Sequence, residues 1–285
     1  MNQSSQSSST QSGKYSIGFI GAGNMANSLI NGLLATGFAA EDLWAADPDC
    51  TQLARLSGQQ GIHTTSDNNV LVSHADVIVL AVKPQVIADV VRPLHEAIRE
   101  RKALVISIAA GITATTLNRW LPDVAVIRCM PNTPALVGKG MTGLFATVQV
   151  SDQQKQSAEM IMRAVGETVW LDDETLIDSV TAVSGSGPAY FFLMMEAMED
   201  AAIKLGLSER TARLLVQQTA LGAATMVAET GEAPAQLRRN VTSPGGTTEK
   251  ALGIFEQHHY QSLIAEALQG ARDRSVELSE IIGKS

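Results

Sequence analysis

The chain has 285 residues, 45% of them hydrophobic and 18% charged, with 23 glycines, 10 methionines and only 4% aromatics. That composition supports one large globular domain or two ordinary ones, packed through small side chains rather than around an aromatic groove. A formal net charge of −8 argues against a nucleic-acid partner, which rewards basic stripes. Two cysteines, Cys50 and Cys129, are too few for a disulfide framework or a zinc site and suit a reduced, cytosolic setting.

Residues 1–13 form a Ser/Gln-rich tail without a basic or apolar segment, so it reads as disordered and not as a secretory signal. A short apolar strand over Tyr15–Ile20 follows, then the turn Gly21-Ala22-Gly23 and an amphipathic helix over Asn24–Ala35. Leu43–Ala46 reads as a second strand stopped by Asp47-Pro48, Ala54–Gln60 as a helix, and Ile62 opens another strand. Val77–Val82 is a continuous β-branched run, the mark of a parallel strand covered on both faces. Val86–Arg101 is predicted as one helix. Leu104–Ile108 and Val124–Met130 are predicted as buried strands with a helix near Thr115–Trp120 between them.

After these, Leu144–Val150 alternates as a strand, Asp152–Ala164 reads as a helix, and Thr168–Leu171 as a last short strand. Beyond Asp172 the pattern is helical throughout: Glu174–Ala182, Pro188–Leu205, Ser208–Glu229, Pro234–Asn240, and Thr247 to the tail. Gly206 and Gly231 stand where helices end, Ser208 and Pro234 where they begin. The uncharged run between Asp178 and Glu196 is shorter than a membrane span and reads as a buried helix. The expected fold class is therefore α/β. A Rossmann-like doubly wound sheet over 14–171 precedes an all-α domain over 172–285.

Gly21-x-Gly23-x-x-Ala26 lies between a predicted strand and a predicted helix. The two glycines permit a tight turn and let backbone N–H groups, with those of Ala22, Asn24 and Met25, approach a pyrophosphate at the positive end of the helix. Asp47 closes the second strand about 20 positions on, where a carboxylate hydrogen-bonds a ribose 2′-OH and repels a 2′-phosphate, which favours NADH. Ligands of such sheets bind beyond the carboxyl ends of the strands. Those ends carry Ala81-Val82-Lys83-Pro84, Ala109-Ala110-Gly111 and Asn132, the candidate nicotinamide pocket. Cys129 has no base near it in sequence and reads as a buried thiol.

In the second domain, Ser243-Pro244-Gly245-Gly246-Thr247-Thr248 precedes a helix and leaves several N–H groups open beside the helix dipole. That pattern suits a carboxylate, and is equally compatible with a simple helix cap. The stretch from Leu237 to Leu252 resembles the signature of the pyrroline-5-carboxylate reductase family. Gly21–Ala26, Ala81–Gln85, Arg128–Pro134 and Ala182–Tyr190 are similar to that family too, in its order and across nearly the whole chain after the tail.

The resemblance implies reduction of 1-pyrroline-5-carboxylate to L-proline, the last step of proline biosynthesis, by hydride transfer from a nicotinamide cofactor to the ring imine. It implies a substrate site at Val241, Ser243, Gly245, Gly246 and Thr247, with Thr248 hydrogen-bonded to the ring nitrogen as the catalytic contact, and no metal. It also implies NADPH as cofactor, against the NADH indicated by Asp47, and a cytoplasmic enzyme whose helical domain forms dimers and larger rings. Neither nucleic acid nor a membrane is expected as a partner. A related cyclic-imine reductase and a non-catalytic nucleotide-binding protein remain open. A hydroxy-acid dehydrogenase does not fit, because the position four residues after Gly187, where such enzymes carry a lysine, is Phe191.

Overall fold

The structure, a computed structural model, describes residues 15–283, so the tail over 1–13 lies outside the described residues. It divides into two compact units, the first reaching Val180 and resuming at Ser275, the second spanning Thr181–Arg274.

The first unit runs β1 (Ile17–Ile20), α1 (Asn24–Ala35), β2 (Leu43–Ala46), α2 (Cys50–Gln60), β3 (His63–Thr65), α3 (Asn68–His74), β4 (Val77–Leu80), α4 (Ile87–Val91), α5 (His95–Arg101), β5 (Leu104–Ser107), α6 (Ala114–Trp120), β6 (Val126–Met130), β7 (Gly140–Ala146), α7 (Asp152–Arg163), β8 (Gly166–Trp170) and α8 (Leu176–Val180). The eight strands lie in the order β3-β2-β1-β4-β5-β6-β7-β8. The chain winds outward from β1 to β3, crosses back to β4 beside β1, and then winds the other way. Ile17 pairs with Leu43 on one side and with Val77 on the other, both in parallel. The crevice at β1 and β4 is thus the switch point of a doubly wound sheet.

The continuous apolar runs follow from burial on both faces. In β4, Val77 and Val79 join one core cluster while Ile78 and Leu80 join the other; β5 divides likewise, with Leu104 and Ile106 opposite Val105. Successive side chains of a strand alternate sides, so a strand between two helical layers needs an apolar residue at every position.

Several sequence expectations shift. The single helix over Val86–Arg101 is interrupted by a 3₁₀ turn at Arg92–Leu94, because Pro93 has no N–H to give to the helical ladder. Asn68–His74 is a helix that hydrophobic periodicity did not mark. Asp67 starts it by accepting the Asn69 N–H at 2.8 Å. It lies close to β1, where a Cβ on Gly18 would sit 2.4 Å from Leu71 Cδ2. The strand expected over Leu144–Val150 is instead Gly140–Ala146, the one antiparallel neighbour of β6, and a turn closed by the Val150 N–H to Thr147 carbonyl bond ends it.

The first unit also extends past the boundary expected near Leu171. On α8, Val180 closes on β7 so tightly that a Cβ on Gly143 would sit 2.9 Å from it. Also on α8, Asp178 accepts the Ser275 hydroxyl at 2.6 Å, both residues being buried.

The second unit is helical. A π-helical turn over Thr181–Gly185 leads into α9 (Gly187–Lys204), α10 (Glu209–Thr230), α11 (Pro234–Asn240), α12 (Thr247–Gln257) and α13 (Tyr260–Gly283), whose last turns belong to the first unit. Ser208 caps α10 by accepting the Thr211 N–H, and Gly231 ends it with a left-handed φ of 67°. The helix expected from Thr247 onward breaks at His258–His259, where His259 takes a φ of 52°. The uncharged run expected as a buried helix falls largely on α9, whose apolar side chains the single chain leaves uncovered. Phe191, Phe192 and Leu193 are 68%, 61% and 66% exposed in the single chain. No helix among the described residues is long and apolar enough to cross a membrane.

Candidate active site

The glycine turn stands at the carboxyl end of β1, inside the switch-point crevice. Gly21 has a φ of +100°, and a Cβ there would lie 2.7 Å from the Ala81 carbonyl oxygen, so the position takes no side chain. Gly23 differs. It is the N-cap of α1 with extended backbone, and a Cβ built on it meets nothing within 4 Å. One glycine is demanded by the fold and the other leaves an open cradle. The first N–H groups of α1, at Asn24 and Met25, have no partner within the helix and face the positive end of its dipole. An open cradle of backbone donors fits the pyrophosphate of a dinucleotide.

Asp47 follows β2. Its Oδ2 accepts the Ala22 N–H at 2.8 Å and its Oδ1 accepts the Asp49 N–H at 2.9 Å. The carboxylate is therefore tied to the glycine turn as well as standing where a ribose is expected. Arg55 is exposed on α2.

The other strand-end residues gather on the same edge of the sheet. After β4, Ala81 and Val82 are half-buried, Lys83 is exposed, and Pro84 begins a 3₁₀ turn. After β5, Ala109 is buried and Ala110 exposed. After β6, the Asn132 amide oxygen accepts the Met141 N–H at 2.9 Å, which fixes that loop against the start of β7. Cys129 is buried within β6, and burial pushes its thiol above the ordinary range, which leaves it protonated and inert.

In the second unit, Gly245 takes a left-handed φ of 71°, and Gly246 becomes the N-cap of α12. The Gly246 N–H donates to the Ser243 carbonyl at 3.0 Å. The Gly245 N–H donates to the Glu249 carboxylate at 2.8 Å. Two of the donors that the sequence offered to a ligand thus have partners within the chain. The N–H groups of Thr247 and Thr248, in the first turn of α12, have none among the described residues and remain open, beside the half-buried Thr248 side chain. Val241 ends α11 and is 62% exposed, and Ser243 is exposed.

Two carboxylates outside the expected site residues hold backbone at these turns. Glu249 stands at the third helical position of α12, where a Glu side chain is a known partner for the N–H groups just before a helix. Glu174 accepts the Arg128 guanidinium at 2.9 Å and the Ala114 N–H at 2.6 Å. Arg128 is 3% exposed and Glu174 20%, so the pair, buried on its arginine side, joins β6, α6 and the segment before α8. Nothing in the local sequence of either residue announces it. Among the described residues, no group of three or more His, Cys, Asp or Glu is placed to hold a metal ion.

The switch-point crevice, the fixed Gly21 and the open Gly23 define a Rossmann-like dinucleotide-binding fold followed by a helical unit. Residues 16–111 match the family model described as NADP oxidoreductase coenzyme F420-dependent, and residues 174–278 match the one described as pyrroline-5-carboxylate reductase dimerisation. The chain is 51% identical over 269 residues to the pyrroline-5-carboxylate reductase of Pseudomonas aeruginosa, covering 94% of this chain and 98% of that one. It is 48% identical to the one of Haemophilus influenzae, over 93% and 98%.

Among solved structures, a pyrroline-5-carboxylate reductase from Coxiella burnetii superposes with a TM-score of 0.90 at 45% identity, over 93% of this chain and 98% of that one. A Plasmodium falciparum pyrroline carboxylate reductase with NADP bound gives 0.82 at 30% identity, over the same shares. The chain belongs to the pyrroline-5-carboxylate reductase family.

Proposed function

We propose that this protein reduces 1-pyrroline-5-carboxylate to L-proline. The reading rests on the turn at Gly245–Thr248, which leaves the Thr247 and Thr248 N–H groups open in a chain of this family. Those two donors, at the positive end of α12, take the substrate carboxylate. The Thr248 hydroxyl oxygen accepts a hydrogen bond from the protonated ring nitrogen. A protonated imine is already an electrophile, so the protein chiefly positions it and needs neither a strong base nor a nucleophile. Gly21, Ala22, Gly23, Asn24 and Met25 hold the pyrophosphate of a nicotinamide dinucleotide. Ala81, Val82, Lys83, Pro84, Ala109, Ala110 and Asn132 border its nicotinamide. That group, when bound, supplies a hydride from its C4 to the imine carbon, while the ring nitrogen keeps its proton and becomes the amine of proline.

Asp47 works against the 2′-phosphate of NADPH by charge and so weights the cofactor toward NADH. The exposed apolar side chains of α9, above all Phe191, Phe192 and Leu193, call for a cover that a second copy of the chain provides. Dimers, and rings built from them, form through the helical unit, and sedimentation of the purified protein at micromolar concentration distinguishes these from a monomer.

The test of the activity is oxidation of NADH and NADPH followed spectrophotometrically with pyrroline-5-carboxylate, its six-membered homologue and a keto acid. Turnover with the five-membered ring and none with the keto acid is expected. An enzyme silent toward pyrroline-5-carboxylate with both cofactors ends the proposal.

A further inference from the structure

The last turns of α13 return to the first unit and settle on the loop between β5 and α6. Gly111, in that loop, has a φ of +76°, and a Cβ there would lie 3.1 Å from Ile282 Cδ1 and 3.9 Å from Leu278 Cβ. Ile282 packs against the core cluster that also contains Ala109, Ile112 and Leu117. The Gly283 carbonyl accepts the Arg119 guanidinium of α6 at 2.9 Å, and a Cβ on Gly283 would sit 3.3 Å from Thr116 Oγ1. One helical pitch and more before this contact, Ser275 donates to Asp178, with both groups buried. At the far side of the loop, Glu174 holds the Ala114 N–H.

We propose that the end of α13 is a brace for the Ala109-Ala110-Gly111 loop, with Ile282 as the positioning residue that sets dinucleotide affinity. The inference rests on the reading above that this loop borders the cofactor. Ile108 and Ile112 anchor the loop at its two ends, but between them Ala109, Ala110 and Gly111 carry nothing larger than a methyl group, and Ala110 is exposed. A glycine in the left-handed region gives the chain its turn but contributes no packing. Ile282 supplies from outside the contact that Gly111 cannot make for itself, and the Arg119 bond to the Gly283 carbonyl satisfies an acceptor that a helix end otherwise leaves open. A loop held on both flanks presents its backbone in one place, which lowers the ordering cost of binding.

The experiment is direct titration of NADH and NADPH into the full chain without substrate, alongside steady-state KM values and thermal midpoints. Ile282→Ala is expected to raise the dinucleotide Kd about five- to tenfold and to change the KM for pyrroline-5-carboxylate less than about twofold. Ile282→Leu restores the wild-type Kd. Arg119→Ala removes one exposed hydrogen bond and leaves no buried cavity, so it keeps the test valid if Ile282→Ala fails to fold. It raises the Kd about two- to threefold. Wild-type dinucleotide affinity in Arg119→Ala and in folded Ile282→Ala overturns the brace, as does a substrate KM that rises in step with the Kd. Ala110→Asp separates the two readings. If it weakens dinucleotide binding while the α13 variants do not, only the brace falls; if it leaves binding intact, the loop is outside the cofactor site and both fall.

Discussion

The Asp47 carboxylate accepts the backbone N–H of Ala22 at 2.8 Å, joining the end of β2 to the middle of the glycine turn after β1. One carboxylate thereby shapes the pyrophosphate turn and places negative charge where the ribose is expected. Asp47→Ser shortens the side chain and removes the charge. The ratio of kcat/KM with NADPH to that with NADH is expected to rise several-fold, while affinity for both falls through a looser turn. An unaltered ratio means that the carboxylate serves the turn alone.

Gly21 and Gly23 separate the demands of fold and ligand. Gly21→Ala forces a Cβ against the Ala81 carbonyl at a left-handed φ, so destabilisation beyond the ~1–2 kcal/mol of the backbone conformation alone is expected. Gly23→Ala meets open space in the free protein. It costs about 0.5–1 kcal/mol as a poorer N-cap, yet raises the dinucleotide Kd at least about tenfold by filling the cradle. Denaturant midpoints and dinucleotide titrations on the two variants check the contrast. Equal affinity for Gly23→Ala and the wild type places the dinucleotide elsewhere.

Thr248 is half-buried beside the open N–H groups of α12. Thr248→Val keeps its shape and removes the hydroxyl. Turnover of pyrroline-5-carboxylate is expected to fall by one to two orders of magnitude, about the worth of a charge-assisted hydrogen bond, and Thr248→Ser recovers most of it. Unchanged kinetics in the valine variant removes the hydroxyl from the mechanism.

Glu174→Ala strands the guanidinium of Arg128, which is 3% exposed, and frees the Ala114 N–H. Loss of about 3 kcal/mol of stability follows from leaving a buried charge without its partner. The double variant Arg128→Met with Glu174→Leu recovers much of that loss, because the desolvation cost disappears with the charge. Urea midpoints measure both. A double variant no more stable than Glu174→Ala alone means that the pair gives more than it costs.

Glu159 accepts Arg163 Nε at 2.9 Å and Trp170 Nε1 at 3.2 Å, and these bonds, the arginine's first, hold its carboxyl below the ordinary glutamate value. The folded state therefore favours the charged form. The stabilisation is complete above the unfolded value of about 4.3 and disappears as pH falls through the lower folded one. Glu159→Gln is expected to flatten the loss of thermal stability below that pH, while the wild type keeps its slope. Parallel curves for the two proteins count against the assignment.

Much of this architecture was legible before any coordinates. Short β-branched runs separated by amphipathic segments marked the sheet, and Gly21-Ala22-Gly23 between a strand and a helix marked the cofactor turn, because both signals are local and periodic. Other features were misjudged for physical reasons. The Val86–Arg101 periodicity outweighed Pro93, whose missing N–H breaks the ladder. The alternation at Leu144–Val150 drew the strand four residues too late, since its true start, at Gly140, has little hydrophobic signal of its own. Asp67 was a helix start that short length and weak periodicity concealed.

The sequence by itself determined the alternation of strands and helices, the glycine turn after β1 and the turn before a helix at Gly245–Thr248, because each follows from backbone geometry and side-chain type within a few residues. Only the tertiary structure decided the partners of those groups: Ala22 for Asp47, Arg128 for Glu174, Gly245 for Glu249, and the return of α13 to Gly111 and Asp178. Most of these contacts join residues tens of positions apart. Hydrophobic period and turn chemistry carry no information about such pairings, and they are settled only when the sheet order brings the groups within hydrogen-bonding distance and burial makes an unpaired one costly.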